Sequence, residues 1–150
     1  MPRPLSFALG FVAGLAAAGL AAQAGTPRKV INLPTRNVQA PYSDAVLAGD
    51  TLYLAGKLGL DPKTGQAPKE AAEEAKLVLD AIQATLTAAG FAMDDLVTVQ
   101  VFCSDVSLYD TFNGVYRTYF KSDPPARAFI GSGSLLRGAR FEVQGVAVRR

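Results

Sequence analysis

Apolar positions recur along the chain with two different periods, and the switches between them mark out its elements. Ala71, Ala75, Val78, Leu79, Ile82, Leu86 and Ala89 return every three or four residues, so one apolar stripe runs along a helix expected from Pro68 to Ala89. Glu70, Glu73 and Glu74 lie in its first turns, where negative charge suits the helix dipole, and Gly90 stands where a left-handed cap belongs. Leu96 to Cys103 alternates instead, which makes it a strand with Val97, Val99, Val101 and Cys103 on one face. Leu108 to Phe120 reads as a second helix, and Ala126 to Ile130 and Arg140 to Val148 as strands. Ahead of the first helix, Lys29 to Leu33 forms a strand ended by Pro34. Ala45 to Ala48 and Thr51 to Ala55 then flank Gly49-Asp50, a two-residue hairpin connection. Asp61-Pro62-Lys63-Thr64-Gly65 has the composition of a turn.

Strands separated by two amphipathic helices favour an α+β fold, a mixed six-stranded sheet with both helices packed on one face. The other face is not fully polar. Leu96, Thr98, Gln100 and Phe102 on one strand and Val146 and Val148 on another leave it partly apolar, which in so small a chain implies burial against other subunits.

The amino terminus follows neither pattern. An apolar run from Leu5 to Ala22 follows the single charge Arg3, and Ala22-Gln23-Ala24 before Gly25 has the small-x-small form of a cleavage site. Residues 1–24 are therefore expected to be a signal peptide, residues 25–150 the functional domain, and the compartment the periplasm. The competing expectation is an uncleaved membrane anchor, because a run of 18 residues sits at the short edge of a bilayer span. The run is mostly Ala and Gly, which favours cleavage, with no stable membrane insertion of the mature protein.

Composition narrows the chemistry. The 150 residues include no His, no Trp and one Cys, so no imidazole base can serve a Ser or Cys nucleophile, and neither a His-based nor a thiolate metal site can be built. Cys103, inside a strand pattern, reads as a core residue. The net charge of +2, with basic residues scattered along the chain, offers no stripe for a phosphate backbone and argues against nucleic acid as partner. Catalysis has to use carboxylates, Arg, Lys, Tyr or backbone dipoles.

Two charged residues interrupt apolar strands. Arg127 offers a planar fork of donors to a carboxylate, and Glu142 can hold a water or move its proton. The pattern alone favours the alternative, a structural ion pair between them across the sheet or two solvated side chains. Tyr42 in a loop, Asn113 in the second helix and Gly56 after a strand are further candidates, each with an ordinary packing role as the alternative. Gly131-Ser132-Gly133-Ser134 has the composition of a phosphate loop but lacks a following Lys-Ser/Thr, and reads as a connection.

Taken together, Pro41-Tyr42-Ser43, Leu52-Tyr53-Leu54-Ala55-Gly56, Asp61-Pro62-Lys63-Thr64-Gly65, Phe112-Asn113-Gly114-Val115-Tyr116 with Tyr119-Phe120, Pro125-Ala126-Arg127 and Phe141-Glu142-Val143 resemble the RidA/YjgF family of reactive-intermediate (enamine/imine) deaminases. The landmarks span nearly all of residues 25–150 in the family's order, and the interval from Arg127 to Glu142 matches the family's spacing. The resemblance implies a chorismate-mutase-like fold, a homotrimer with sites between subunits, and hydrolysis of 2-imino acids or their enamine tautomers to 2-keto acids and ammonia without metal or organic cofactor. It further implies that Arg127 clamps the substrate carboxylate and that Glu142 positions and deprotonates water. Tyr42 would orient the substrate, with Gly56, Asn113 and Phe129 lining the site.

Three positions depart from the family's deaminases: Ala55 stands where Ser is usual, Lys57 where Gln is usual, and Phe129 where a small residue, commonly Cys, is found. Lys57 is thus expected to add positive charge to the pocket and Phe129 to narrow it. Export is unusual for the family as well, and requires a source of imine outside the cytosol. The alternative function is a trimer of the same fold that binds a small carboxylate without turnover, as sensor or scavenger. The ribonuclease activity of some relatives fits poorly with a chain that has little net charge and no His.

Overall fold

A computed structural model describes residues 27–149. The expected signal segment, residues 1–24, lies outside the described residues. The elements are β1 (Arg28–Ile31), β2 (Ala45–Ala48), β3 (Thr51–Leu58), α1 (Ala71–Ala88), β4 (Leu96–Cys103), α2 (Tyr109–Tyr116), β5 (Ala126–Gly131) and β6 (Phe141–Val148). The strands form one sheet in the order β1-β2-β3-β6-β4-β5, with β4 and β5 parallel and every other pair antiparallel. A tight hairpin joins only β2 to β3, and β6 inserts antiparallel between β3 and β4, whereas the parallel pair requires a crossover, which α2 supplies. The expected mixed six-stranded α+β sheet with both helices on one face is what the chain forms.

The core lies between that face and the helices. Val78, Leu79, Ile82 and Leu86 of α1 and Phe112 of α2 meet Leu52, Val99, Val101, Phe141 and Val143 of the sheet, all essentially solvent-free. Each such side chain contributes about 1.5–3 kcal/mol relative to exposure. The carboxyl end of α1 is closed by a Schellman arrangement: the Phe91 N–H reaches the Leu86 carbonyl at 2.9 Å and the Gly90 N–H the Thr87 carbonyl at 3.0 Å. Gly90, with φ of 78°, occupies the left-handed position.

Several boundaries move for identifiable reasons. The first helix starts at Ala71, not Pro68, because the Pro68 and Lys69 carbonyls accept from the Arg140 guanidinium instead of from helical N–H groups. The segment expected as one helix from Leu108 to Phe120 keeps only eight α-helical residues, flanked by 3-10 turns at Val106–Leu108 and Arg117–Tyr119. β1 stops at Ile31, after which the Leu33 N–H and Asn32 side chain bond to Asp44. β3 continues past Ala55 to Leu58 through a bulge between Leu54 and Lys57.

A second bulge corrects the expected faces of β4. Leu96 pairs with Ala147 and Thr98 with Val146, so Val97 is an extra residue in the strand. Leu96 is therefore in the core, Val97 is about half exposed, and alternation resumes with Val99, Val101 and Cys103 buried. The open face carries Tyr53, Thr98, Gln100, Gln144 and Val146, with Gln144 donating to Gln100 at 2.5 Å. Cys103 is a core residue as expected. Its thiol is buried and bonds to the Asp105 carbonyl at 3.0 Å. Burial pushes the thiol upward, helped by the Asp105 and Glu74 charges, so it stays a neutral thiol.

Candidate active site

Glu142 is the second residue of β6. Phe141 and Val143 on either side face the core, so Glu142 faces the open side of the sheet, opposite Phe102 and Leu58. The bulge in β3 brings Gly56 against it: a Cβ added at Gly56 would sit 2.1 Å from the Glu142 Oε1. Only glycine lets the carboxylate lie on the β3 backbone there. Among the described residues that carboxylate has no ion pair and no hydrogen bond, leaving both oxygens available to a ligand or a water.

Around it opens a cleft of about 760 Å³ whose walls include Tyr42, Ala55, Gly56 and Leu136. Tyr42 is held by its main chain: Arg36 donates from Nε to the Tyr42 carbonyl at 3.0 Å and from Nη2 to the Ala40 carbonyl at 2.7 Å. The phenol itself stays more than half exposed. Lys57, expected to charge the pocket, is instead paired with buried Asp44. Burial pushes the Asp44 carboxyl up, but the Lys57 ammonium, the Leu33 N–H and the Arg36 charge outweigh it and hold the group below its ordinary value. The pair cancels the added charge.

Arg127 belongs to a different place. On β5 it pairs in register with Val99 of β4, so its side chain leaves the sheet on the helix side. There its Nη2 donates to Asn113 Oδ1 at 2.7 Å, and its Cζ lies 4.5 Å from the Tyr116 ring centre. The rings of Tyr109, Phe112 and Phe129 stand within 6 Å of the same atom. This aromatic surround, with the Asn113 bond, holds the guanidinium in place while the residue stays partly exposed. Phe129 packs edge-on against Tyr109 and Phe112 and lines neither cleft, so its expected narrowing of the pocket does not occur within one chain. A cleft of about 440 Å³ opens beside Arg127, walled by Tyr109, Asn113, Tyr116 and Arg117, among others.

The expected site residues thus fall into two groups. Tyr42, Gly56 and Glu142 meet on one side of the sheet; Arg127, Asn113 and Phe129 meet on the other. The structural ion pair that the sequence left open does not form, since the two charged side chains point away from each other across β4. Within one chain Arg127 and Glu142 line two different clefts.

Sequence reasoning missed what holds these groups in place. Glu74, which suits the helix dipole by its position, has a fully buried side chain that accepts from the backbone N–H groups of Arg140 at 2.5 Å and Phe141 at 3.0 Å. Its other oxygen takes the Arg140 Nε at 2.6 Å. Gly59 packs so closely on Glu74 that a Cβ there would meet its carbonyl at 2.2 Å. One carboxylate therefore ties α1 to Arg140 and Phe141 at the start of β6, immediately before Glu142. An acidic residue in the first turn gave no sign of this, because its partners lie more than sixty positions away. Asn113, expected to face substrate, has its side-chain oxygen engaged with Arg127. Among the described residues, no three His, Cys, Asp or Glu side chains converge to hold a metal, and no helix is long and apolar enough to cross a membrane.

Known proteins share this arrangement of elements. Residues 34–149 match the sequence model of the family described as Endoribonuclease L-PSP. The 2-iminobutanoate/2-iminopropanoate deaminase of Bos taurus is 43% identical over 110 residues, covering 73% of this chain and 80% of the bovine protein. The human protein of the same name is 40% identical over the same share of each chain. Among solved structures, the YjgF gene product of E. coli superposes with a TM-score of 0.75 at 30% identity, covering 81% of this chain and 99% of that one. A structure from Thermotoga maritima, described as a putative endoribonuclease, gives 0.76 at 31% identity over 81% of this chain and 98% of its own.

Proposed function

The chain belongs to the Endoribonuclease L-PSP family, the RidA/YjgF proteins, and from that premise we infer that it is an imine deaminase. It hydrolyses 2-imino acids and their enamine tautomers to 2-keto acids and ammonia. The observation that carries this reading is the identity of about 40% to proteins named 2-iminobutanoate/2-iminopropanoate deaminase over nearly three-quarters of the chain. The unpaired Glu142 carboxylate and the Arg127 guanidinium, held by Asn113 beside a cleft, supply matching chemistry.

The mechanism we propose needs no imidazole. Arg127 takes the substrate carboxylate through the face of its fork not used by Asn113. A protonated imine carbon is already electrophilic, so the protein has mainly to orient it and deliver water. Glu142 accepts a proton from that water as its oxygen bonds to the imine carbon, forming a carbinolamine. The same carboxyl then returns a proton to nitrogen; the C–N bond breaks, ammonia leaves, and loss of the hydroxyl proton completes the keto acid. The Gly56 backbone and Tyr42 form the wall against which the imine lies.

We further propose that the working unit is a homotrimer in which Arg127 of one chain and Glu142 of the next share each site. The support is geometric, because the two residues face opposite sides of one sheet and the open face retains Tyr53, Val97 and Val146 without a cover in the single chain. Export of residues 25–150 after removal of the apolar leader belongs to the same proposal; mature protein from the source cell should begin near Gly25.

The test is release of ammonia from 2-iminopropanoate generated in situ. Wild-type protein should accelerate it, Arg127→Ala should abolish the acceleration, and Glu142→Gln should abolish turnover while keto-acid binding persists. A wild-type rate equal to that of Arg127→Ala would leave only a carboxylate-binding protein.

A further inference from the structure

Every polar side-chain group lining the cleft beside Arg127 is a donor or is already in use. Asn113 Oδ1 is bonded to Arg127. Arg117, at the end of α2, lines the same cleft and makes no ion pair, and its guanidinium no hydrogen bond, with the described residues. Ser122 contributes a hydroxyl. Tyr116, another wall residue, carries the one buried side-chain polar atom without a partner among the described residues. Burial moves that phenol up to about 12, so it remains a donor across the physiological range. No carboxylate lines the cleft, and the nearest acidic residues in sequence, Asp110 and Asp123, form no ion pair with Arg117.

Such a lining recognises an acceptor-rich anion, and two guanidinium groups within one cleft of about 440 Å³ exceed what a single carboxylate needs. A cation at a helix carboxyl terminus is favoured by the dipole in any case, but that effect does not explain an adjacent cleft without any countercharge. We propose that the cleft is a subsite for a second carboxylate, held by Arg117, so that the preferred substrates are 2-imino dicarboxylic acids, the imines of acidic amino acids. Arg127 then grips the carboxylate next to the imine carbon and Arg117 the distal one. The tyrosine and phenylalanine walls, Tyr109, Tyr116 and Phe120, pack along the methylenes between the two charges. This rests on the imine-deaminase reading for the reaction but not for the binding.

The experiment therefore measures binding first. Titration calorimetry compares 2-oxoglutarate with 2-oxopentanoate, which has the same carbon chain and lacks the distal carboxylate. The dicarboxylate is expected to bind at least about tenfold more tightly, a preference that Arg117→Ala lowers to near parity while Arg117→Lys keeps part of it. Equal affinity of wild-type protein for the two acids, or a preference unchanged in Arg117→Ala, overturns the proposal. The same comparison with the corresponding imines, generated by an amino-acid oxidase, reads the preference in kcat/KM. Should neither imine be hydrolysed, the deaminase reading fails while the binding ratio still decides the subsite.

Discussion

Arg127 and Glu142 leave the sheet on opposite faces: Arg127 stands beside Val99 on the helix side, and Glu142 stands opposite Phe102 on the open side. β4 lies between their strands. Period-2 geometry allows no rotamer change to bring them to one side. On the proposed mechanism, the carboxylate clamp and the water-activating group at one substrate would come from two copies of this chain.

Gly56 is the tightest point of the Glu142 half-site. Gly56→Ala should displace the carboxylate, since the new methyl would fall 2.1 Å from its oxygen. Turnover should drop by about a hundredfold, the scale on which misplaced catalytic groups act, with the far-ultraviolet spectrum unchanged. Gly90→Ala is the control. Its left-handed φ of 78° makes alanine cost about 1 kcal/mol of stability, read from the urea midpoint, with kcat retained.

Asn113 acts through Arg127. Asn113→Ala frees the guanidinium to reorient and should raise KM for the imino acid more than it lowers kcat. Asn113→Asp should raise KM further, because a carboxylate at 2.7 Å competes with the substrate for the same donors. Equal losses in kcat for both variants, with KM unmoved, would show that Asn113 touches the reacting atoms instead.

Glu74 is a buried charge whose partners are two backbone N–H groups and Arg140. Glu74→Ala strands all three and should cost about 3–5 kcal/mol in equilibrium unfolding. Glu74→Gln keeps one acceptor and should cost less. A loss below 1 kcal/mol for the alanine variant would mean that water replaces the carboxylate.

Acid should weaken the fold through Asp44 and Asp80. Burial raises both carboxyls, but Lys57 on Asp44 and Lys76 with the Tyr119 hydroxyl on Asp80 outweigh it, so both sit below the ordinary value of 3.8. Depressed folded-state values mean that stability is present above 3.8 and is lost as pH falls through the lower folded values. Urea midpoints should therefore be flat from neutral pH down to about 5 and decline below about 4. Lys57→Met should flatten part of that decline.

The hydrophobic periods carried the sheet, the two helices and the strand positions of Arg127 and Glu142, because each rests on local alternation. Non-local facts stayed hidden. The extra residue Val97 looks like any strand valine, and only pairing with β6 exposes the bulge that sends Leu96 into the core. Glu74 reads as a dipole partner until Arg140 and Phe141 are folded against it. Lys57 looks like a free pocket charge until Asp44, thirteen residues earlier, is brought to it. The separation of Arg127 from Glu142 follows from strand order, which no spacing within the sequence reveals.

The central claim is that the site is completed between chains, and mixed trimers test it most directly. Arg127→Ala and Glu142→Gln chains, co-expressed with different affinity tags and purified through both, should regain about one wild-type site in three, since either composition of a cyclic trimer places one intact Arg127 against one intact Glu142. Each parent trimer alone should be inactive. Mixed trimers no more active than the parents would contradict a shared site.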